Sequence, residues 1–319
     1  MRLPWVTVDL GGCDINRFDI SVIVPTFNRA SSVRRLMASF DALVCPDSIT
    51  AELLIVDNGS TDNTASVLVP ARGECTKFSL RVLREDRQGK SSALNRGLSL
   101  AQGKILLLVD DDVVVHPLWL IKHVESYSVT SFDAIQGRVL PGVDLDGRPA
   151  DPDRLREYNI PIIDYGDQTC EIRGLTGTNM SFKREVFEKV GFFDPWLGPG
   201  AAGFSEDTEY SIRIRKAGFK IGYTPHAIVF HELDPGRYGP AYNRMVEYRK
   251  GLSRSLYRQD SILFRVIPDL VANCLRYGLY RLLRKSQKAY RTEGRIMKCW
   301  GYLVGKIHRP KFVDSSSEN

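Results

Sequence analysis

The amino-acid sequence predicts an α/β protein with a Rossmann-like, mixed but mainly parallel sheet flanked by helices and followed by a helical C-terminal extension. Four short apolar runs alternate with helical patterns, and such strand–turn–helix repeats build parallel sheets with right-handed crossovers. The fourth run, GKILLLV at 103–109, is almost continuously apolar, as expected of a strand covered on both faces. Three aspartates, Asp110, Asp111 and Asp112, follow it directly.

Each predicted strand ends in a polar turn. The strands are expected at 20–24, 52–56, 80–84 and 105–109. The helices between them are expected at 33–43, shortly after Asp62, and at 93–101. Because ligands of open α/β sheets bind outside the carboxyl ends of the strands, these turns are expected to surround one crevice.

The second half of the chain is less regular. Short extended stretches with Gly/Pro turns are expected from 133 to 172, and a helix at 184–190. A glycine-rich segment at 197–203 precedes a helix that begins near Ser205 and runs through Lys216. The last elements before His231 are two short strands, at 220–224 and 227–230.

The three consecutive aspartates indicate a divalent cation. Three adjacent negative charges repel one another, and carboxylate oxygens suit Mg²⁺ or Mn²⁺. A solvated acidic turn is the simpler alternative. The sequence contains neither GxxxxGK[ST] nor a GxGxxG after the first strand, so it carries no P-loop or dinucleotide fingerprint.

The charge is unevenly distributed along the chain. Residues 1–231 carry 26 Lys+Arg against 30 Asp+Glu, whereas residues 232–319 carry 18 against 8. From 262 to 282 the apolar residues fall on one face of a predicted helix, with arginines mainly off it. This helix is expected either to pack on the preceding domain or to lie on anionic lipid, with the basic surface spanning 262–298. No nucleic-acid-binding module is present, and no nucleic-acid partner is expected.

The cysteines and the N-terminal sequence indicate in which cellular compartment the protein is expected. Six scattered cysteines form no CxxC pair, which favours free thiols in a reducing cytosol. The first fifteen residues lack an apolar stretch, and no uncharged segment of 18 residues occurs. We therefore expect a cytoplasmic protein, peripheral at the inner face of the plasma membrane.

Several motifs occur in an order that is typical of one enzyme family. They are TFNR at 26–29, VDNGSTDNT at 56–64, GKSSALNRGL at 89–98, DDD at 110–112, GTNMSF at 177–182, SEDTEYSIRIRKAGFKIGY at 205–223 and the histidine at 231. Over residues 20–231 the chain resembles a family 2 glycosyltransferase with the A-type nucleotide-sugar-binding fold. No single motif is decisive, but their order and spacing together make a specific pattern.

The resemblance implies a donor site for a nucleotide-diphosphate sugar. It implies Mn²⁺ or Mg²⁺ held by Asp110, Asp112 and His231, with Asp110 and Asp57 also contacting the nucleoside. The remaining residues that it places around the base and diphosphate are Pro25, Thr26, Phe27, Arg29, Lys90 and Asp111. For three of these residues a simpler role stays open: Asp57 in an Asx-turn, Lys90 as a solvated lysine, and His231 as an ordinary histidine at a strand end.

The resemblance also implies the catalytic pair. Asp207, next to Glu206, matches the family's general base, which takes the proton of the acceptor hydroxyl. A single displacement would then invert the anomeric configuration. An N-capping role is the alternative for Asp207.

Together these observations predict an inverting, metal-dependent glycosyltransferase. Its donor would be a nucleotide-diphosphate sugar, with UDP expected, and its acceptor a saccharide or lipid-linked saccharide in cell-surface polysaccharide or glycoconjugate synthesis. Residues 1–231 would form the catalytic domain, with a nucleotide-binding half at 20–115 and an acceptor half at 116–231, and 232–319 a basic helical extension. The alternatives are a Mg²⁺-dependent phosphotransfer or phosphatase-like enzyme and a non-catalytic scaffold at a membrane surface.

Overall fold

The computed structural model describes residues 17–68, 78–144, 162–237 and 239–308. The strands in these ranges are β1 (Phe18–Thr26), β2 (Ala51–Asp57), β3 (Ser79–Arg84), β4 (Gly103–Val109), β5 (Val113–Val115), β6 (Ala134–Asp144), β7 (Cys170–Glu171), β8 (Asn179–Lys183) and β9 (Ile221–Leu233). The helices are α1 (Ala30–Asp41), α2 (Thr64–Leu68), α3 (Lys90–Leu100), α4 (Trp119–Val129), α5 (Arg184–Val190), α6 (Glu206–Lys216), α7 (Pro240–Tyr257), α8 (Ile267–Leu282) and α9 (Ser286–Ile307).

The strands join into one sheet with the order β3-β2-β1-β4-β8-β6-β9-β5, and β7 pairs with β9. Strands β1 to β4 are mutually parallel, whereas β8 is antiparallel to both β4 and β6. The predicted open, mainly parallel sheet is therefore confirmed. The order brings the ends of β1 and β4 side by side, which places the first turn next to the aspartates.

Helices cover both faces of the sheet. On β1, Val22 and Val24 point to the face where α1 and α4 pack, and Ile23 points to the face of α3, α5 and α6. This alternation follows from the pleat of a strand, in which successive side chains point to opposite sides. Since both faces are buried, β1, β2 and β4 can be apolar almost throughout, as the sequence pattern indicated.

Two sequence expectations differ from the structure. The strands expected at 220–224 and 227–230 are one strand, β9, and His231 lies inside it rather than after it. Gly137 and Arg138 are adjacent in the parallel partner β6 but pair with Thr224 and Ile228, so residues 225–227 of β9 form a bulge where the sequence pattern is interrupted. Within the stretch expected at 133–172, β6 and β7 are extended, and residues 145–161 lie outside the described residues.

The C-terminal extension consists of α7, α8 and α9, of which the sequence pattern had indicated only the second. Helices α7 and α9 touch through Gly251 and Gly301, where a Cβ atom on either would collide with the backbone of the other helix. The apolar residues of α8 and of the π-helical turn before it face solvent. Those that are exposed include Leu263, Phe264, Ile267, Val271, Leu275, Leu279 and Leu282. No helix in the described ranges is long and apolar enough to cross a membrane.

Candidate active site

A cleft of about 980 Å³ opens at the carboxyl ends of β1 and β4. Eleven of the twelve residues that the sequence predicted for the site line it: Pro25, Thr26, Phe27, Arg29, Lys90, Asp110, Asp111, Asp112, Glu206, Asp207 and His231. Residues far apart in the sequence thus meet in one place, because parallel strands deliver their following turns to the same edge.

Asp57 is the predicted site residue that does not line this cleft in the described part of the chain. Its side chain is buried, and its Oδ1 accepts a hydrogen bond of 3.0 Å from the backbone N–H of Ser60. This contact to the backbone three residues on is a local turn contact, close to the Asx-turn that stood as the simpler alternative. The neighbouring Asn58 lines the cleft instead. Asn58 Nδ2 donates to the carbonyls of Glu85 and Arg87, which fixes the turn before α3.

The first two aspartates of the triplet are held by neighbours. Thr26 donates a hydrogen bond of 2.7 Å to Asp111 Oδ2, and Thr178 donates one of 3.1 Å to Asp110 Oδ2. Asp110 Oδ1 lies 2.5 Å from the ammonium nitrogen of Lys90. Burial, followed by repulsion from Asp112, raises the pKa of Asp111. Lys90 is thus an ion-pair partner in the cleft rather than a solvated lysine.

Asp112 is buried and faces three basic side chains. His231 Nε2 lies 3.4 Å from its Oδ1, and guanidinium nitrogens of Arg237 and Arg29 lie 3.2 and 3.7 Å from its Oδ2. Burial alone would raise the pKa of Asp112, but His231, Arg237 and Arg29 outweigh it and lower the pKa to about 2. The carboxylate is therefore ionised throughout the physiological range.

The donor atoms of Asp112 and His231 fit a divalent cation. His231 Nδ1 lies 2.7 Å from the carbonyl oxygen of Glu232, and since a carbonyl can only accept, Nδ1 carries the proton. A cation that takes the place of a proton at Nε2 would therefore meet the Nε2 lone pair and the Asp112 carboxylate together, which is an arrangement that suits a metal ion. Within the described ranges no group of three or more acidic, His or Cys residues could by itself hold a metal. Asp110 does not converge with this pair, because Lys90 and Thr178 hold it.

Asp207 lies in the first turn of α6 and lines the same cleft as Asp112 and His231. Its Oδ2 accepts a hydrogen bond of 3.3 Å from the backbone N–H of Gly177, and its Oδ1 accepts one of 2.6 Å from Thr208 N–H. The N-cap residue of α6 is Ser205, which is left-handed with φ 75°, so Asp207 does not cap the helix. Its carboxylate is therefore positioned at the cleft surface.

Glu206 is buried behind Asp207. One of its carboxyl oxygens lies 3.7 Å from Lys90 Nζ, so this lysine stands between Asp110 and Glu206. Burial and the negative charge of Asp207 raise the pKa of Glu206 to about 7. The pair therefore places one buried acid and one accessible carboxylate side by side at the start of a helix.

The structure adds residues to the cleft that the sequence analysis missed. Arg237, six residues after His231, pairs with Asp112. One face of α7 also forms part of the wall. Arg237 could have been found from its short distance to His231 in the sequence, but no motif marked α7.

One residue of the GTNMSF motif has a structural role. Asn179, in GTNMSF, donates to the carbonyls of Arg138 and Ala227 and accepts a hydrogen bond from Trp119 Nε1. Its Oδ1 also lies 2.9 Å from His123 Nε2, and burial lowers the pKa of that histidine to about 4. This buried network ties β8 to β6, β9 and α4, and so fixes the sheet beside the cleft.

The sheet and the acidic cleft at its edge define the chain as a glycosyltransferase of the A-type fold. The family model described as glycosyl transferase family 2 matches residues 21–191, more than half of the chain. The chain therefore belongs to glycosyl transferase family 2, and it is a transferase.

Two curated relatives come from Haloferax volcanii. Glycosyltransferase AglE is 27% identical over 234 residues, which cover 73% of this chain and 72% of AglE. A glucosyl-dolichyl phosphate glucuronosyltransferase is 27% identical over 158 residues, and the match covers 47% of this chain and 49% of that relative. The chain thus matches about half of the length of the second relative.

A solved structure agrees with the fold. A mannosyltransferase from Pyrobaculum calidifontis, solved with GDP-Man and Mn²⁺, superposes with a TM-score of 0.58 at 20% identity and covers 96% of this chain and 91% of its own. At that identity the likeness shows the fold alone.

Proposed function

We propose that this chain is an inverting, metal-assisted glycosyltransferase that uses a nucleotide-diphosphate sugar, with UDP as the nucleotide. Its acceptor would be a saccharide or a lipid-linked saccharide in the synthesis of cell-surface polysaccharide or glycoconjugate. One observation carries the proposal: a single cleft is lined by the Asp112–His231 pair and by the Asp207 carboxylate.

In this proposal Asp112 and His231 would hold Mn²⁺ or Mg²⁺, and the other ligands would come from the donor and from water. The metal would supply Lewis-acid neutralisation of the charge that develops on the leaving diphosphate. Arg237 and Arg29, which already face Asp112, would add positive charge at the same place. The turn at 25–29 borders the cleft, and there it would contact the base and diphosphate.

Asp207 would act as the general base. It would take the proton from the acceptor hydroxyl as that oxygen forms its bond to the anomeric carbon. The diphosphate oxygen lies on the opposite face of the anomeric carbon. As the new bond forms, the bond between that oxygen and the anomeric carbon breaks, and its electron pair leaves with the nucleoside diphosphate. The anomeric configuration is therefore inverted. The backbone N–H of Gly177 would hold the Asp207 carboxylate in orientation.

The domain organisation that supports this chemistry is a catalytic unit at 1–231 followed by the extension at 232–319. The nucleotide-binding half at 20–115 contains the triplet and its neighbours, and the acceptor half at 116–231 contains Asp207 and His231. The extension contributes α7 to the wall of the cleft, so we infer that it belongs to the working enzyme.

The donor is tested first by thermal denaturation with UDP, dTDP, GDP and CDP, each with Mn²⁺ or with EDTA. A ligand at 100 times its Kd adds roughly 2.7 kcal/mol of stability. We expect UDP with Mn²⁺ to raise the unfolding midpoint, and EDTA or Asp112→Ala to abolish the increase. GDP is included because the Pyrobaculum mannosyltransferase was solved with GDP-Man. Failure of every nucleotide to stabilise the protein would refute the proposal.

The extension would hold the enzyme at an anionic membrane surface on the cytoplasmic side. The support is the solvent-facing apolar stripe of α8, in which Leu275 is 71% and Leu279 is 50% exposed. Exposed cations accompany the stripe: Arg265, Arg276, Arg281, Arg284 and Lys285. An apolar face with a basic border is the pattern of a helix that lies in the headgroup region of anionic lipid.

Flotation with vesicles tests this placement. The protein is expected to float with vesicles that contain phosphatidylglycerol and to remain unbound with pure phosphatidylcholine. Leu275→Glu with Leu279→Glu should abolish flotation. The matched control is Val129→Glu, which changes an apolar residue that is 80% exposed on α4. Equal flotation of both variants would contradict a membrane role for α8.

A further inference from the structure

One face of α7 forms a wall of the cleft that the donor chemistry does not use. Its residues recur about once per helical turn, so they lie above one another on one side of the helix. They are Tyr242, Val246, Lys250, Arg254 and Tyr257. Three further cations line the same region of the cleft: Arg258, Arg265 and Lys298. We call the five cations of this group, Lys250, Arg254, Arg258, Arg265 and Lys298, the basic wall.

The basic wall has more positive charge than its neighbours neutralise. Glu247 is shared by Lys250 at 2.8 Å and Lys298 at 3.1 Å. Asp260 is shared in the same way by Arg254 at 2.7 Å and Arg265 at 2.9 Å.

Arg258 has no carboxylate partner within the described residues, and its side chain is exposed. Five cations therefore meet two carboxylates. An exposed excess of this size inside a cleft attracts an anion.

The basic wall lies next to the proposed general base. The backbone N–H of Phe204 donates a hydrogen bond of 3.2 Å to Ser253 Oγ on α7. One turn further along, Tyr257 lies beside the side chain of Ser205, the residue that precedes α6. Asp207 is two residues away from Ser205, and its charge acts on Tyr257 together with those of Arg254 and Arg258. An anion on the basic wall would thus lie beside the group that receives the acceptor's proton.

Neither substrate of a simple sugar transfer explains these cations. The diphosphate of the donor would already be neutralised near Asp112 and His231, by the metal and by Arg29 and Arg237. A neutral saccharide hydroxyl needs a base and hydrogen bonds but no group of arginines. Arginine and lysine side chains are, in contrast, the usual protein ligands of phosphate, because their N–H groups form charge-assisted hydrogen bonds with its oxygens.

We propose that the basic wall is a phosphoryl-binding subsite for the acceptor. The sugar would be transferred to a hydroxyl of an acceptor whose own phosphate or diphosphate group rests on α7. This inference depends on the proposed function, since it assigns the acceptor of that reaction. The phosphoryl group could belong to a lipid carrier or to a soluble sugar or polyol phosphate. Leu263 and Phe264, 70% and 88% exposed, directly precede Arg265 and would meet the hydrocarbon of a lipid carrier.

The test is isothermal titration of the protein with farnesyl phosphate, farnesol and inorganic phosphate. The donor side is first saturated with Mn²⁺ and the nucleoside diphosphate that stabilises the protein. Wild type is expected to bind farnesyl phosphate and not farnesol. Arg258→Gln should weaken this binding at least about fivefold, and Arg258→Gln with Arg265→Gln by about tenfold or more, as charge-assisted hydrogen bonds are lost.

The control is Arg215→Gln, an exposed cation on α6 outside the cleft, which should bind like wild type. Thermal midpoints without ligand verify that every variant is folded. Inorganic phosphate that competes as strongly as farnesyl phosphate would indicate a soluble phosphorylated acceptor. Much tighter binding of farnesyl phosphate than of inorganic phosphate would indicate a lipid-linked acceptor.

Three results would overturn the inference: no binding of farnesyl phosphate or phosphate to wild type, equal binding of farnesol, or unchanged affinity in the double variant. These results are separable from failure of the proposed function. If no nucleoside diphosphate stabilises wild type, the proposed function fails. If a nucleoside diphosphate binds while the arginine variants match wild type, only the phosphoryl subsite is lost.

Discussion

The donor side of the cleft, which is the part around Asp110, Asp111 and Asp112, differs from the basic wall in how far its charges are paired. On the donor side the carboxylates of Asp110, Asp111 and Asp112 are at most partly exposed, and each has a hydroxyl or a cation within contact distance. On the basic wall Arg254 is 32% and Arg265 is 58% exposed at the side chain, and the cations outnumber the carboxylates. One side is a fixed, internally balanced network, whereas the other is an open surface with unbalanced charge.

The difference has a physical cause. A buried charge without a partner costs several kcal/mol, so a network inside the fold must be balanced before any ligand arrives. An exposed charge is stabilised by water and contributes little to stability, so it can be left in excess. Donor-side substitutions are therefore expected to affect both stability and function, and basic-wall substitutions to affect binding alone.

The largest effect is expected for Asp207→Asn, which lies between the two sides. Removing a positioned general base lowers the rate of transfer by about 10²–10⁴-fold. Nucleotide affinity should stay near that of wild type, because the hydrogen bonds of Asp207 run to the backbone N–H groups of Gly177 and Thr208 rather than to the Asp112–His231 pair. The measurement is sugar transfer together with nucleotide titration, and the control is Asp86→Asn, whose side chain is 83% exposed. Sugar transfer by Asp207→Asn at the wild-type rate would show that Asp207 is not the general base.

The next largest effect is expected for Lys90→Met. Loss of this cation leaves Asp110 and Glu206 in a low-polarity environment without their partner, and breaking such a buried pair costs about 3–5 kcal/mol. The free energy of unfolding in urea should fall accordingly. Arg258→Gln is the matched change on the basic wall and should stay within about 0.5 kcal/mol of wild type. A similar fall in the free energy of unfolding in both variants would show that the basic wall contributes to stability as much as the donor side does.

A smaller effect, on the pH dependence of the free energy of unfolding, is expected from Glu206. Its pKa is raised from 4.5 to about 7 by burial and by Asp207, so the folded protein keeps a proton that the unfolded chain has released. The contribution to stability is complete below about pH 4.5 and is lost as the pH rises towards 7. Glu206→Gln should flatten this decline by about 3 kcal/mol.

Urea unfolding at a series of pH values measures the decline. Asp111, whose pKa is also raised, would leave a residual slope in Glu206→Gln. Parallel curves for wild type and Glu206→Gln would show that Glu206 ionises normally.

The smallest effect is expected from added salt, which should weaken the binding of ligands to the two sides of the cleft unequally. Exposed charges are screened strongly at high ionic strength, whereas buried pairs are screened much less. Affinity for farnesyl phosphate should therefore fall several-fold on addition of KCl, while affinity for the nucleoside diphosphate with Mn²⁺ should change less. Titrations at low and high KCl compare the two ligands directly. A larger salt effect on the nucleotide would mean that the donor side is the more exposed one.

The sequence located the sheet and most of the cleft because both depend on local patterns. Continuous apolar runs predicted β1, β2 and β4, and their neighbouring polar turns brought Thr26 and the three aspartates to one edge. The start of α6 and its Glu206–Asp207 pair were also evident, since a short polar stretch precedes a helical pattern. These features arise within a few residues of one another in the chain.

Where the sequence fell short, the missing information was a contact between distant segments. The pattern divided β9 in two at residues 225–227, where β9 bulges before its pairing with β6 resumes at Ile228. Asp57 accepts a hydrogen bond from the backbone N–H of Ser60 and is not among the described residues that line the cleft, and Asp110 pairs with Lys90. No local pattern specifies which of several nearby carboxylates a lysine will contact.

The sequence by itself determined the strand pattern, the order of the motifs and the residue types at the edge of the sheet, because hydrophobic periodicity and turn chemistry are local properties. Only the tertiary structure decided that Arg237 pairs with Asp112 and that α7 forms the basic wall beside Asp207. It also decided that α7 and α9 pack closely through their glycines and that α8 leaves its apolar face in solvent. Such pairings join residues far apart in the chain, and packing selects them.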